Sequence, residues 1–183
     1  MMRLAALMLF AALSAAPPAF AQDCEATVSG DIGEVTVMRE AQGGSATWVV
    51  YRQASDGVSK SLFSPPGLEL EFALKADGSL GALDRLEVTI TRVSDPETGR
   101  TPSLRGIDVK ASLDGGRAVS WPAAESGEGR RQLLQALQKA WPQRMEVQLV
   151  NAADGRVQAS AMFDLTSLET ARGLARRAVA QCR

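Results

Sequence analysis

Apolar and polar residues alternate along most of the chain, and a period of two predicts strands with one buried face. Between Leu68 and Lys75, and again between Leu86 and Thr91, every second residue is apolar and the residues between them are mostly polar. The further strand candidates are Glu34–Arg39, Ala46–Gln53, Ser59–Phe63, Ile107–Leu113, Arg144–Val150 and Arg156–Phe163. The pattern therefore predicts about eight strands, each with an apolar inner and a polar outer face, as in antiparallel sheets.

Residues typical of turns separate these strands. Asp114, Gly115 and Gly116 divide Ile107–Leu113 from the apolar segment 117–121, and residues 151–155 divide the last two strands. Because glycine readily adopts positive φ, both segments predict hairpins. The loops at residues 64–67 and 95–102 are too short to separate domains.

Two segments follow the helical period instead. Residues 128–140 carry leucines at helical spacing and are followed by Pro142, which cannot continue a helix. Thr166 and Glu169 have the spacing of a capping box at the start of a second, alanine-rich helix. The predicted fold is mainly β, in the α+β class: a twisted antiparallel sheet or β-sandwich with two covering helices.

The N-terminus has the parts of a secretory signal peptide. A positive charge at Arg3 precedes thirteen uncharged residues, Leu4–Ala16, and a small-x-small site ends at Ala21. As a helix, thirteen residues span roughly 20 Å, which is short of the roughly 30 Å of a bilayer core, so a cleaved signal is favoured over a membrane anchor. We therefore predict a signal peptide at residues 1–21 and one β-rich periplasmic domain at residues 22–183, without a transmembrane segment.

The chain has two cysteines, Cys24 and Cys182, near the two ends of the predicted mature protein. In an oxidising compartment such a pair predicts a disulfide. Closing so long a loop stabilises by about 4–5 kcal/mol in the chain-entropy description. Two free thiols, or a bond to another molecule, remain the alternative.

Composition excludes several kinds of site. The chain has no histidine, so a Ser-His-Asp triad, a Cys-His dyad and a histidine-ligated metal cannot form. Its 20 basic and 21 acidic residues give a net charge of -1, which argues against nucleic-acid binding. No phosphate-loop, calcium-loop or Ser-x-x-Lys motif is present. We therefore predict a protein that is not an enzyme, with no cofactor and no metal; a hydrolase using carboxylates such as Glu69 and Glu71 is the remaining alternative.

Charge is unevenly distributed along the chain. Residues 22–129 contain 17 acidic and 10 basic residues, whereas residues 130–183 contain 4 acidic and 9 basic residues. Seven of these nine basic residues lie on the predicted helices or at the C-terminus: Arg130, Arg131, Lys139, Arg172, Arg176, Arg177 and Arg183. They predict a basic face for an anionic partner, such as a lipid headgroup, lipopolysaccharide or an acidic protein. Alternatively, these side chains pair with the domain's own acids or stay solvated.

Two tryptophans are candidate anchors for a partner. Trp121 and Trp141 each precede a proline and flank the first predicted helix. Tryptophan is enriched among the residues that dominate binding energy at interfaces, so we predict partial exposure of one or both. The alternative is that both rings pack in the core.

The second half of the chain resembles a known family. The segments IDVKASLDGG (107–116), RRQLLQALQKA (130–140) and MEVQLVNAADGRVQASAMF (145–163), with the apolar run from Phe163 to Ala171, are similar to the invasion-associated locus B family. The resemblance covers residues 107–182 and implies a small exported β-rich protein without catalytic residues.

Together these features predict an exported, non-catalytic periplasmic protein that binds an envelope protein or an anionic surface. An inhibitor or accessory subunit of an envelope complex is the first alternative, with residues 95–102 as a loop that inserts into the partner. The sequence does not identify the partner.

Overall fold

The computed structural model describes residues 24–30, 33–39, 47–53, 56–75, 80–125, 127–166 and 168–181. The predicted signal peptide, the side chain of Cys24, and residues Cys182 and Arg183 lie outside what it describes. The predicted disulfide therefore stays a prediction.

Ten strands and two helices occupy the described ranges. The strands are β1 (Cys24–Gly30), β2 (Gly33–Arg39), β3 (Thr47–Gln53), β4 (Asp56–Ser59), β5 (Gly67–Leu74), β6 (Leu80–Thr89), β7 (Ile107–Leu113), β8 (Val119–Pro122), β9 (Arg144–Asn151) and β10 (Val157–Asp164). The helices are α1 (Glu128–Lys139) and α2 (Leu168–Gln181).

The strands form two antiparallel sheets of five strands each. The first sheet has the order β1-β2-β3-β5-β6, and the second has the order β4-β10-β9-β7-β8. Every neighbouring pair is antiparallel. The mainly β, antiparallel prediction with two helices is confirmed, with ten described strands in place of about eight.

Strand β4 leaves the first sheet, although its neighbours in the chain, β3 and β5, both belong to it. β4 pairs with β10 in the second sheet, where Gly57 lies opposite Ala161. A Cβ atom on Gly57 would lie 2.2 Å from the backbone oxygen of Ser160, so a glycine is needed for this close approach. The chain thus crosses from one sheet to the other and back within residues 53–67.

The inward side chains of both sheets form one hydrophobic cluster. Val35 and Leu70 from the first sheet, and Val147, Leu149 and Phe163 from the second, are each fully buried. These residues occupy alternate positions of their strands, as the period of two predicts. The two sheets therefore share one core.

The helices complete this core from opposite edges of the first sheet. Helix α1 contacts the edge strand β6 and, in the second sheet, β8, and it buries Leu133 and Leu137. Helix α2 packs on β1 and β2 and buries Leu174 and three alanines. Among the described residues there is no helix with both the length and the apolar character needed to cross a membrane.

The start of α2 differs from the predicted capping box. The helix begins at Leu168, and the Thr166 hydroxyl donates a hydrogen bond to Asp164 Oδ1 at 2.6 Å. The backbone N–H of Thr166 donates to the same oxygen at 2.9 Å. The prediction that Thr166 caps α2 is therefore wrong, because its hydroxyl is used in a turn that precedes the helix.

Candidate functional site

The predicted basic residues form two groups. Arg130, Arg131 and Lys139 lie on α1, beside β6 and β8, whereas the arginines of α2 lie beside β1 and β2. Because β1 and β6 are opposite edges of the first sheet, the basic residues of the two helices lie at opposite edges of this sheet and are not brought together. On α2, Arg176 and Arg177 are exposed and Arg172 is half-buried.

The two candidate anchors differ in exposure. Trp121 is only 5% exposed and lies against Gly129, so its ring belongs to the core and offers nothing to a partner. Trp141 is half-buried: its Nε1 donates to the Leu165 carbonyl oxygen at 2.8 Å, and its ring centroid is 5.8 Å from that of Phe72. Of the two tryptophans, Trp141 is therefore the partly exposed one, and Trp121 is buried.

A cleft of about 540 Å³ lies between β6 and the first turn of α1. We call it the α1–β6 cleft. Its lining residues are Asp84, Arg85, Leu86, Gly127, Glu128, Arg130, Arg131 and Leu134. Two of the predicted basic residues, Arg130 and Arg131, thus meet a third arginine, Arg85, that the charge pattern did not single out.

A β-bulge builds the β6 wall of the cleft. Glu71 of β5 pairs with Arg85 and Phe72 pairs with Leu83, so Asp84 has no opposite residue. As a result two consecutive side chains, Asp84 and Arg85, are exposed between buried leucines. Bulges commonly redirect side chains in this way at sheet edges and beside functional sites.

A close helix–strand approach builds the α1 wall. Gly129 is buried, and a Cβ atom there would lie 2.7 Å from the backbone oxygen of Ser120. The first turn of α1 can therefore pack directly on β8, and this contact fixes the backbone positions of Arg130 and Arg131. The N-cap residue, Gly127, makes no side-chain hydrogen bond to the helix.

Three of the five charged side chains in the cleft are ion-paired. Arg85 Nη1 donates to Glu71 Oε1 at 2.9 Å and its Nη2 donates to Glu87. The carboxylate of Glu71, followed by the hydrogen bond to Glu87, raises the pKa of Arg85 above its ordinary value. On the other wall, Arg131 pairs with Glu128.

The other two charged side chains, Asp84 and Arg130, are not paired. Within the described part of the chain, neither makes a hydrogen bond or an ion pair. Asp84 is exposed, whereas Arg130 is half-buried and also borders a depression of about 130 Å³ next to Trp121. A half-buried cation without a counterion has lost part of its hydration and gained no partner in return. Arg130 is therefore positioned to receive an external anion.

The sequence contains a signal for the β6 wall that the charge pattern alone does not reveal. In Leu83-Asp84-Arg85-Leu86 two polar residues stand between two apolar ones, which breaks the period of two. Such a break within a strand is typical of a bulge. It also explains why the strand prediction began at Leu86, six residues after the true start of β6.

The carboxylates considered for hydrolysis lie on β5. Glu71 is bound by Arg85, and Glu69 lies opposite Glu87 of β6. Across the described ranges, no three cysteine, aspartate or glutamate residues are grouped so that they could hold a metal ion.

The loop predicted to insert into a partner is held by its own hydrogen bonds. Asp95 Oδ1 accepts the backbone N–H of Glu97 at 2.8 Å, and the Asp95 N–H donates to the Arg100 carbonyl oxygen at 2.9 Å. The bond from Glu97, together with those from Thr98, lowers the pKa of Asp95.

Comparison of the chain with protein-family models, with curated proteins and with solved structures gives no match. The resemblance of residues 107–182 to the invasion-associated locus B family stays a prediction.

Proposed function

We propose that this protein is an exported, non-catalytic binding protein of the periplasm, which holds an anionic group of an envelope partner in the α1–β6 cleft. The observation that carries the proposal is Arg130, a half-buried guanidinium in this cleft without a partner among the described residues. Arginine suits such a role because its planar donor fork binds carboxylate or phosphate through two hydrogen bonds.

The remainder of the cleft supports this role. Arg85 and Arg131 line the same cleft, but their charges are offset by ion pairs with Glu71, Glu87 and Glu128, so Arg130 supplies the guanidinium that has no counterion in the described part of the chain. The first N–H groups of any helix lack intrahelical acceptors, and Gly127 supplies no side-chain cap for those of α1. An anion in the cleft gains from these N–H groups in addition to Arg130. The family resemblance of the second half of the chain agrees with an exported protein that binds rather than catalyses.

Titration of ¹⁵N-labelled protein with a tetraglutamate peptide at low salt tests the anion site. We expect amide shifts centred on residues 84–86 and 127–131, and loss of most of the affinity in Arg130→Gln. The matched control is Arg117→Gln, because Arg117 is exposed and has no partner within the described residues. Absence of shifts at the cleft, or equal affinity of Arg130→Gln and the wild type, would overturn the proposal.

Export is tested separately. Fractionation of producing cells should release the protein with the periplasmic contents, and N-terminal sequencing should begin at Gln22. A cytoplasmic protein that retains Met1 would contradict this part of the proposal.

A second role follows from the loop at residues 95–102. Its backbone is already ordered by Asp95, and Ser94 Oγ lies 3.1 Å from Thr101 Oγ1 at its base. A loop ordered before binding loses little conformational entropy when a partner encloses it. We therefore keep an inhibitor or accessory subunit of an envelope complex as the second candidate. Replacing residues 96–99 with glycine and serine should then abolish capture of that complex while the tetraglutamate titration stays unchanged.

A further inference from the structure

The two unpaired charges of the α1–β6 cleft have opposite signs and stand on different walls. Asp84 comes from the bulge of β6, and Arg130 comes from the first turn of α1. No ion pair joins them, and the described chain gives neither of them another partner. The cleft therefore offers both a carboxylate and a guanidinium to a ligand.

The presence of both a positive and a negative side chain in one cleft restricts the chemistry of the ligand. Asp84 and Arg130 line the same cleft, so a purely anionic group held by Arg130 also experiences the negative charge of Asp84. A ligand that carries a cation a short distance from its anion satisfies both side chains. The volume of about 540 Å³ lies within the range of roughly 300–1,000 Å³ that is typical of small-molecule sites.

We infer that the α1–β6 cleft binds a carboxylate and an ammonium group carried by one ligand, with Arg130 holding the carboxylate and Asp84 the ammonium. This inference rests on the proposed function and refines it. The two groups have two sources: the side chains of a peptide segment in a partner protein, or the two ends of a free amino acid or short peptide.

Three probes distinguish these cases. The first is the capped peptide acetyl-Gly-Glu-Lys-Gly-amide, whose charges are on side chains. The second is the same peptide with glutamine replacing lysine, so that only the carboxylate remains. The third is free diglycine, in which the charges are the chain ends. Stronger binding of the first probe identifies a peptide segment, and stronger binding of the third identifies a free zwitterion.

We expect the preferred zwitterionic probe to bind roughly two- to fivefold more tightly than the carboxylate-only peptide, because an ion pair with an exposed carboxylate such as Asp84 adds only a modest free energy. Asp84→Asn should abolish this preference and leave the carboxylate-only peptide as tightly bound as before, or more tightly. Arg130→Gln should weaken all three probes. Glu25→Gln, which changes an exposed acid on β1 at the edge of the first sheet opposite β6, is the control and should alter none of them.

The outcomes separate the two proposals. If neither the Glu-Lys peptide nor diglycine binds more tightly than the Glu-Gln peptide, and all binding is lost in Arg130→Gln, the zwitterion inference is overturned and the anion site stands. Equal effects of Asp84→Asn on all probes would also overturn it. Absence of binding by every probe, or binding that does not depend on Arg130, would overturn both.

Discussion

Gln138 Nε2 donates a hydrogen bond to the backbone carbonyl oxygen of Leu83 across 2.6 Å. Leu83 belongs to β6, which is an edge strand of the first sheet. Edge strands present unpaired backbone groups that can recruit other chains. The Gln138 side chain thus satisfies a backbone carbonyl of this edge strand. It also holds α1 beside β6, the strand that forms the opposite wall of the cleft.

Removing that hydrogen bond should loosen α1. We expect Gln138→Ala to lower the free energy of unfolding by about 1 kcal/mol, because a partly buried carbonyl oxygen loses its donor. Gln135→Ala is the control, since Gln135 is exposed on the same helix and makes no hydrogen bond within the described residues. Urea denaturation of both variants measures the difference. Equal stability of the two variants would contradict a role for the Gln138 bond.

Replacing each of two helix glycines by alanine should change the free energy of unfolding in opposite directions. In Gly129→Ala the new methyl group meets the Ser120 carbonyl oxygen at 2.7 Å, so we expect a loss of about 1–3 kcal/mol. In Gly173→Ala on α2, no described residue other than the helix's own backbone and the two chain neighbours comes within 4 Å of the new methyl group, and we expect a gain of about 0.5–1 kcal/mol. Urea midpoints test both. Stabilisation by Gly129→Ala would show that α1 does not rest on β8 as described.

The Thr166 hydroxyl should control the acidity of Asp164. The side-chain and backbone hydrogen bonds from Thr166 hold the pKa of Asp164 below its ordinary value. A lowered pKa in the folded state stabilises the fold above the ordinary pKa of about 3.9, and this contribution disappears as the pH falls through the lowered pKa. Thr166→Ala should therefore raise the pKa of Asp164 and reduce stability at neutral pH, with the difference shrinking in acid.

Thr166→Ser is the matched control for that experiment, because it keeps the hydroxyl. Carbon-detected NMR titration of the carboxyl group gives the pKa of Asp164 in each variant. An unchanged pKa in Thr166→Ala would contradict the hydrogen bond from the side chain.

The predicted disulfide between Cys24 and Cys182 should appear in the mass of the exported protein. Without reductant we expect two hydrogens fewer than in the dithiol form, and a mass increase by those two hydrogens after reduction. Alkylation before reduction should label neither cysteine. A protein that is fully alkylated without reductant contains two free thiols.

Most strands could be predicted because their buried faces alternate regularly. For β7 the predicted range, Ile107–Leu113, equals the observed one. β1 was not predicted, since CEATVSG contains few large apolar residues and its inward positions are occupied by small ones such as Ala26. Its strand conformation depends on pairing with β2 and on the cover that α2 provides. The contact with α2 is distant in sequence and leaves no local period.

The candidate site was predictable only in part. Arg130 and Arg131 stand out from the basic composition of the second half, but Asp84 and Arg85 are about 45 residues away in the chain and meet them only through the packing of α1 on β6. The sequence also did not determine which of the two tryptophans is exposed. Gly129, the residue that lies against Trp121, follows it by eight positions, and their contact depends on the packing of α1 on β8, which leaves no local pattern.

The first strands of the chain are covered by its last helix, so they stay uncovered until synthesis of the chain is nearly complete. The apolar sides of β1 and β2 are covered by α2, whose residues begin at 168, and β4 needs β10 as its only described strand partner. A nascent or truncated chain that stops before residue 168 therefore exposes the apolar surface of β1 and β2 to solvent. Such fragments should aggregate or be retained by holding chaperones.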